Sequence, residues 1–107
     1  MTQYRKSKYN NKKTDYNGNL YDSKKEAAYA KRLDWMVLGG EVESWERQIR
    51  LNLIVNSVKV CAYVVDFIVH FPDGTKEYID VKGYKTDIYK LKKKLVKAVL
   101  DIDIKEK

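Results

Sequence analysis

VKVCAYVVDFIVHF, residues 58–71, then PDGT, 72–75, then KEYIDVKG, 76–83, decide how this chain folds. The first run is almost wholly apolar and rich in β-branched and aromatic residues, the pattern of a strand buried on both faces. Asp66 stands in its middle. A carboxylate left without a partner there costs several kcal/mol or stays protonated, so the position requires one. The returning run carries Asp80 and Lys82, two residues apart and hence on one face of a strand.

The turn between the runs sets their register. Phe71-Pro72-Asp73-Gly74 suits a type I turn with Pro at its second position, followed by Gly in the left-handed conformation as a G1 bulge. Such a loop pairs Phe71 with Thr75, and the same register sets Asp66 directly opposite Asp80. Opposed side chains in an antiparallel pair have Cβ atoms roughly 4.5–5.5 Å apart. Two bare carboxylates repel at that distance, and a divalent cation between them removes the repulsion.

An aspartate in a hydrophobic strand, a tight hairpin and Asp-x-Lys in the returning strand resemble the PD-(D/E)XK nuclease superfamily. The resemblance implies that Asp66 and Asp80 bind Mg²⁺, with Mn²⁺ as a substitute, and that Lys82 assists the attacking water. Val65 occupies the place of the proline usual before the first acid. The bland alternative is a solvated hairpin with incidental charges, which the apolar setting of Asp66 disfavours.

At 107 residues the chain is one domain, long enough to bury a core of its own. With 44% apolar and 35% charged residues it is neither disordered nor membrane-embedded in bulk. The longest apolar run is too short to span a bilayer and no signal peptide opens the chain, so a soluble, intracellular protein without a membrane partner is expected. Cys61 is the only cysteine and His70 the only histidine, which rules out an intrachain disulfide, a zinc site built on cysteines and multi-histidine hydrolases. A net charge of +7 from 22 Lys plus Arg points to a polyanionic partner, and nine tyrosines and two tryptophans add groups that stack on bases.

Residues 1–21 hold Arg5, Lys6, Lys8, Lys12 and Lys13 among polar residues and read as a basic extended arm with a turn at Asn17-Gly18. The arm either tracks phosphates or is a solvated tail. Residues 22–107 form the domain proper. Ser23 to Leu38 reads as a helix ended by Gly39-Gly40, with Ala27, Ala30, Leu33 and Val37 as its core stripe. Glu26 completes a capping box with Ser23 or serves as a third active-site acid. From Glu41 to Asn56 the pattern has period two, with Glu43, Trp45, Arg47, Ile49, Leu51 and Leu53 as the core-facing set of a long strand. Gln48, on the other set, is either an ordinary exposed amide or a group that positions water or phosphate.

After Gly83, Thr86 or Asp87 caps a second helix reaching Leu100, with Ile88, Leu91, Leu95 and Val99 as its buried stripe. Lys85 precedes it, and Lys90, Lys92, Lys93, Lys94 and Lys97 surround that stripe as a solubilising face or as contacts to a DNA backbone. Residues 101–104 alternate and add a short edge strand. The resulting order, αβββαβ, is an α/β (α+β) arrangement and matches the restriction-endonuclease-like core of the resembled superfamily, a mixed sheet flanked by helices.

Ser7-Lys8-Tyr9, Asn17-Gly18, the segment Tyr21-Asp22-Ser23-Lys24-Lys25-Glu26 and Gln48 resemble a family of small phage-encoded endonucleases within that superfamily. The resemblance implies a catalytic set of Glu26, Gln48, Asp66, Asp80 and Lys82, and one or two metals held by the acids and the Val81 carbonyl. It further implies a Mg²⁺-dependent DNA endonuclease leaving a 5′-phosphate. A chain this small has no spare domain for reading base sequence, so the expected substrate is branched or duplex DNA such as a junction, cut by a homodimer in a phage-infected bacterial host. The rival expectations are a non-catalytic nucleic-acid-binding protein on a nuclease-like fold, and an RNA binder using the arm and the tyrosines.

Overall fold

The computed structural model describes residues 13–81 and 85–107. Its elements are β1 (Thr14–Tyr16), β2 (Asn19–Tyr21), α1 (Lys24–Leu38), β3 (Ser44–Val55), β4 (Val58–His70), β5 (Lys76–Asp80), α2 (Asp87–Leu100) and β6 (Ile104–Glu106). The α+β class and the αβββαβ order expected from the sequence are what the chain forms, with a small hairpin placed in front.

That hairpin is the first departure. The extended arm expected over residues 1–21 is, in its described part, a two-stranded sheet of β1 and β2. Asn17 and Gly18 turn it with φ of 53° and 82°, the positive pair that a two-residue type I′ loop requires. Tyr21 is buried in the core, and the Tyr16 hydroxyl donates to Asp34 Oδ2 at 2.6 Å, tying the hairpin to α1.

α1 starts where its cap predicts: the Ser23 hydroxyl accepts from the Glu26 N–H at 3.1 Å. Ala27, Ala30 and Leu33 face the core as expected, but Val37 is exposed and Met36 packs against the core in the last turn instead. Gly40, with φ of 80°, lets the chain turn back, and the Glu43 N–H then reaches the His70 carbonyl at 2.8 Å to start β3 beside β4.

The main sheet has the order β3-β4-β5-β6. β3 and β4 form a long hairpin around Asn56 and Ser57, both at positive φ. β4 and β5 pair through the turn that the sequence predicted. The Phe71 N–H donates to the Thr75 carbonyl at 2.9 Å, the Gly74 N–H to the Phe71 carbonyl at 3.0 Å, and Gly74 has φ of 91°. The register runs from His70↔Lys76 to Phe67↔Ile79, so Asp66 and Asp80 come next. α2 then crosses over to place β6 parallel to β5, with Asp80 beside Glu106.

Two cores lie on the two faces of this sheet. Phe67, Val69, Ile79, Val81 and Val42 pack with α1 and Tyr21, while Leu53, Tyr63, Val65, Ile68 and Ile104 pack with Val96 of α2. Strand alternation breaks between them. Tyr63 and Val65 belong to the α2 side, yet Phe67 and Val69, of the same parity, belong to the α1 side. On β3, Trp45 packs on the α1 side and Ile49 and Leu51 on the α2 side. The expected single core-facing set of β3 is therefore divided, and the division falls at Gln48, whose φ of 55° reverses the pleat.

Two further expectations fail for packing reasons. β4 is buried on both faces only in its second half; Val58 and Val60 are exposed where the hairpin runs beyond α1. α2 keeps Leu95 and Val99 of its expected stripe against the core, but Ile88 is 66% and Leu91 58% exposed, while Val96 is fully buried and Tyr89 packs inward in their place. The α2 side of the sheet offers Tyr63 and a β6 that the periodicity of α2 alone does not register.

Candidate active site

Asp66 lies at the point where alternation reverses, and its side chain turns toward the end of β5. There Asp66 Oδ2 accepts the Val81 N–H at 2.8 Å. Asp80 returns the interaction: its Oδ1 accepts the Asp66 N–H at 3.0 Å and its Oδ2 accepts the Tyr63 hydroxyl. The β4–β5 ladder thus ends at Phe67↔Ile79 because two carboxylates replace the next backbone acceptors. Asp66 is 3% and Asp80 0% exposed. Two acids buried side by side, each clasping the other strand, form a fixed pair of hard oxygen donors.

The first turn of α1 packs into the core on the α1 side of the sheet. Glu26 is 6% exposed, and Tyr29, one turn further on, packs on Phe67 with ring centroids 5.3 Å apart. Glu26 is therefore buried on the α1 side of the sheet. The Ser23 hydroxyl accepts from the Glu26 N–H, which is one half of the expected capping box. Among the described residues, no three His, Cys, Asp or Glu side chains converge closely enough to hold a metal ion by themselves. The donor set that fits a hard cation is the Asp66–Asp80 pair.

Gln48 sits on edge strand β3, and the register of β3 with β4 continues through Arg47↔Phe67 and Ile49↔Val65, which brings Gln48 level with Asp66. It is exposed and holds the left-handed backbone noted above. Strain of this kind in a non-glycine residue is retained where surrounding structure over-determines it. Lys82 lies outside the described residues, as do Arg5, Lys6, Lys8 and Lys12. Val81 is buried beside the pair. Lys13 is exposed at the foot of the small hairpin.

The lysines of the second helix divide by role. Lys92 Nζ donates to the Ala62 carbonyl at 3.2 Å and so fastens α2 to β4. Lys85 and Lys93 pair with Glu106 at 3.1 and 3.3 Å, while Lys90 is exposed.

Four residues join the site that the sequence did not single out. Tyr63 reaches Asp80 because the reversal of the pleat brings it to the face of Asp80. Tyr89 packs on Tyr63 with centroids 6.1 Å apart and donates to Glu106 Oε2 at 2.8 Å. Burial, then the Glu106 hydrogen bond, then the Asp80 charge hold its hydroxyl protonated far above the usual tyrosine range. The Tyr89 and Lys85 hydrogen bonds in turn pull Glu106 down to about 2. On the α1 side, Arg47 lies 4.1 Å from the centroid of the Tyr21 ring and donates to the Leu20 carbonyl at 3.2 Å. Burial raises the Tyr21 hydroxyl, the Arg47 charge opposes that shift, and the charges of Asp34 and Glu26 add to it. Only Arg47, next to the strained Gln48, carried a local signal: a cation in the core-facing set of β3.

The chain belongs to a family described as a protein of unknown function, DUF1064, whose profile matches residues 6–105. Comparison with curated proteins finds no match, and comparison with solved structures finds none. Among the described residues, no helix is long and apolar enough to cross a membrane.

Proposed function

We infer that this member of a family without an assigned function is a metal-dependent endodeoxyribonuclease of the PD-(D/E)XK type. The observation that carries the reading is the buried Asp66–Asp80 pair at the end of the β4–β5 ladder, with the strained Gln48 level with Asp66 on the neighbouring strand. Asp66 and Asp80 would hold Mg²⁺ or Mn²⁺ by hard oxygen ligands, with the Val81 carbonyl and Glu26 as the further ligands that the resemblance implies. When bound, the metal supplies a Lewis acid that neutralises charge developing on the scissile phosphate and lowers the pKa of water.

The rest is the work of this chain's side chains. Lys82 orients the attacking water or stabilises the charge that develops as the new P–O bond forms. The bond to the 3′ oxygen then breaks, leaving a 3′-hydroxyl and a 5′-phosphate. Gln48, exposed and level with Asp66, contacts the water or a phosphate oxygen in this reading. The overall charge of +7 favours a polyanionic substrate. Branched DNA in a phage setting is the substrate class we favour, and cutting both strands at a junction requires a homodimer. Sedimentation showing only monomers on junction DNA argues against that assembly.

A second reading has its own support. Both aspartates already serve the fold by accepting backbone N–H groups, so the same pair is compatible with a non-catalytic nucleic-acid-binding protein. The deciding experiment incubates wild type, Asp66→Asn and Asp80→Asn with labelled four-way junction, flap, duplex and single-stranded DNA, in Mg²⁺ or EDTA. Cleavage by wild type in Mg²⁺ that falls at least about a hundredfold in either variant, with DNA binding retained, is expected. Binding without cutting in Mg²⁺ and Mn²⁺ establishes the second reading.

A further inference from the structure

On the α2 face, beyond Tyr89, a groove of about 570 Å³ opens between α2 and the segment leading into β6. Lys85, Lys90, Lys93, Lys94 and Lys97 line it, with Ile102 and Ile104 as its apolar floor. Four of these lysines share α2, and like charges three and four residues apart on a helix repel by a few tenths of a kcal/mol per pair. The fold answers part of this repulsion with acids. Glu106 holds Lys85 and Lys93, and Lys97 pairs with Asp101 at 2.9 Å and Asp103 at 3.2 Å. Lys90 and Lys94 have no acidic partner among the described residues.

The groove is also joined to the candidate active site. Glu106 is the register partner of Asp80 across β5 and β6, and neighbouring strands lie about 4.8 Å apart. Tyr89 donates to Glu106, and the Asp80 charge acts on the same hydroxyl. An anionic chain lying in the groove therefore reaches Glu106, the neighbour of the buried Asp80 on the adjoining strand. Adjacent lysines on the helix stand about 5–6 Å apart, a spacing that suits successive phosphates of one strand.

We propose that this groove seats the phosphodiester backbone of duplex DNA beside the Asp80 site, and that Glu106 occupies Lys85 and Lys93 as a stand-in until a phosphate displaces it. The identity of the ligand rests on the nuclease reading; the groove and its charge arrangement do not. Two lysines are ready for phosphate, and two more become available when Glu106 is displaced.

The test is fluorescence anisotropy with a 5′-labelled 20-base-pair duplex in EDTA, from 50 to 200 mM KCl, followed by cleavage assays of the same proteins in Mg²⁺. Variants are Lys90→Glu/Lys94→Glu, Glu106→Gln and, as a matched control, Lys31→Glu/Lys59→Glu, two exposed lysines outside the groove. Circular dichroism establishes that each is folded. The groove pair is expected to bind about tenfold more weakly, with the salt slope reduced by about 1.8, the loss of two phosphate contacts. Glu106→Gln is expected to bind about five- to tenfold more tightly at 50 mM KCl with a steeper slope, because two lysines are released.

Groove and control variants that weaken binding equally overturn the groove. Groove-dependent binding with Glu106→Gln at wild-type affinity overturns the stand-in. Groove-dependent binding without cutting in Mg²⁺ overturns the nuclease reading alone, and wild-type cutting and binding by Lys90→Glu/Lys94→Glu overturn the groove alone.

Discussion

Deleting one hydroxyl, in Tyr63→Phe, probes the acid pair without touching either acid. The Tyr63 hydroxyl donates to Asp80 Oδ2, and Tyr63 is 4% exposed, so bulk water has no access to replace the lost donor. The ring stays packed against the α2 core, which confines the change to one charge-assisted hydrogen bond. A hydrogen bond to a charged acceptor contributes roughly 1.5–3 kcal/mol. With an unfolding entropy of about 2.1 cal/mol/K per residue, a chain of 107 residues loses roughly 7–13 °C of Tm. In urea, with a slope near 1.5 kcal/mol/M for a domain of this size, the midpoint falls by about 1–2 M. Equilibrium urea unfolding followed by tryptophan fluorescence in EDTA measures it directly. Repeating the deletion in an Asp80→Asn background lowers the cost to about 1 kcal/mol, since the acceptor is then neutral. A midpoint shift below about 0.3 M in the single variant, or equal shifts in the two backgrounds, refutes a hydroxyl–carboxylate contact at the centre of this site.

Two other perturbations test the surroundings. Gln48→Gly relieves a left-handed backbone that costs a non-glycine residue about 1 kcal/mol, so it stabilises by up to that amount, whereas Gln48→Val destabilises by more than 1 kcal/mol; thermal unfolding of both distinguishes strain from an ordinary strand position. The Asp34 hydrogen bond, with burial and charge behind it, raises Tyr16 to about 12, above its ordinary 10. Because the folded-state value is the higher one, the stability contributed by that hydrogen bond is fully present below pH 10 and is lost as pH rises from 10 to 12. Urea midpoints of wild type and Tyr16→Phe at pH 8 to 12 are expected to converge at the alkaline end; a constant gap refutes the linkage.

What the sequence by itself determined about this protein was local and covalently close. The register that leads to Asp66 and Asp80 follows from Phe71-Pro72-Asp73-Gly74, because proline presets one turn dihedral and glycine supplies the positive φ, so few loops fit. The start of α1 at Ser23 and its end at Gly39-Gly40 are legible for the same reason: each is a contact within a few residues.

Tertiary structure decided which faces meet. The left-handed turn of the backbone at Gln48 has no counterpart in glutamine's own preferences, yet it reverses the pleat and carries Tyr63 to the side of Asp80. The exposure of Ile88 and Leu91 on α2 depends on the surface α2 packs against. Glu106 comes beside Asp80 through a parallel crossover, a pairing for which no turn fixes the register. Contacts set by a turn are paid in local conformational preference and can be read along the chain; contacts set by packing depend on surfaces that exist only once the sheet and both helices are in place.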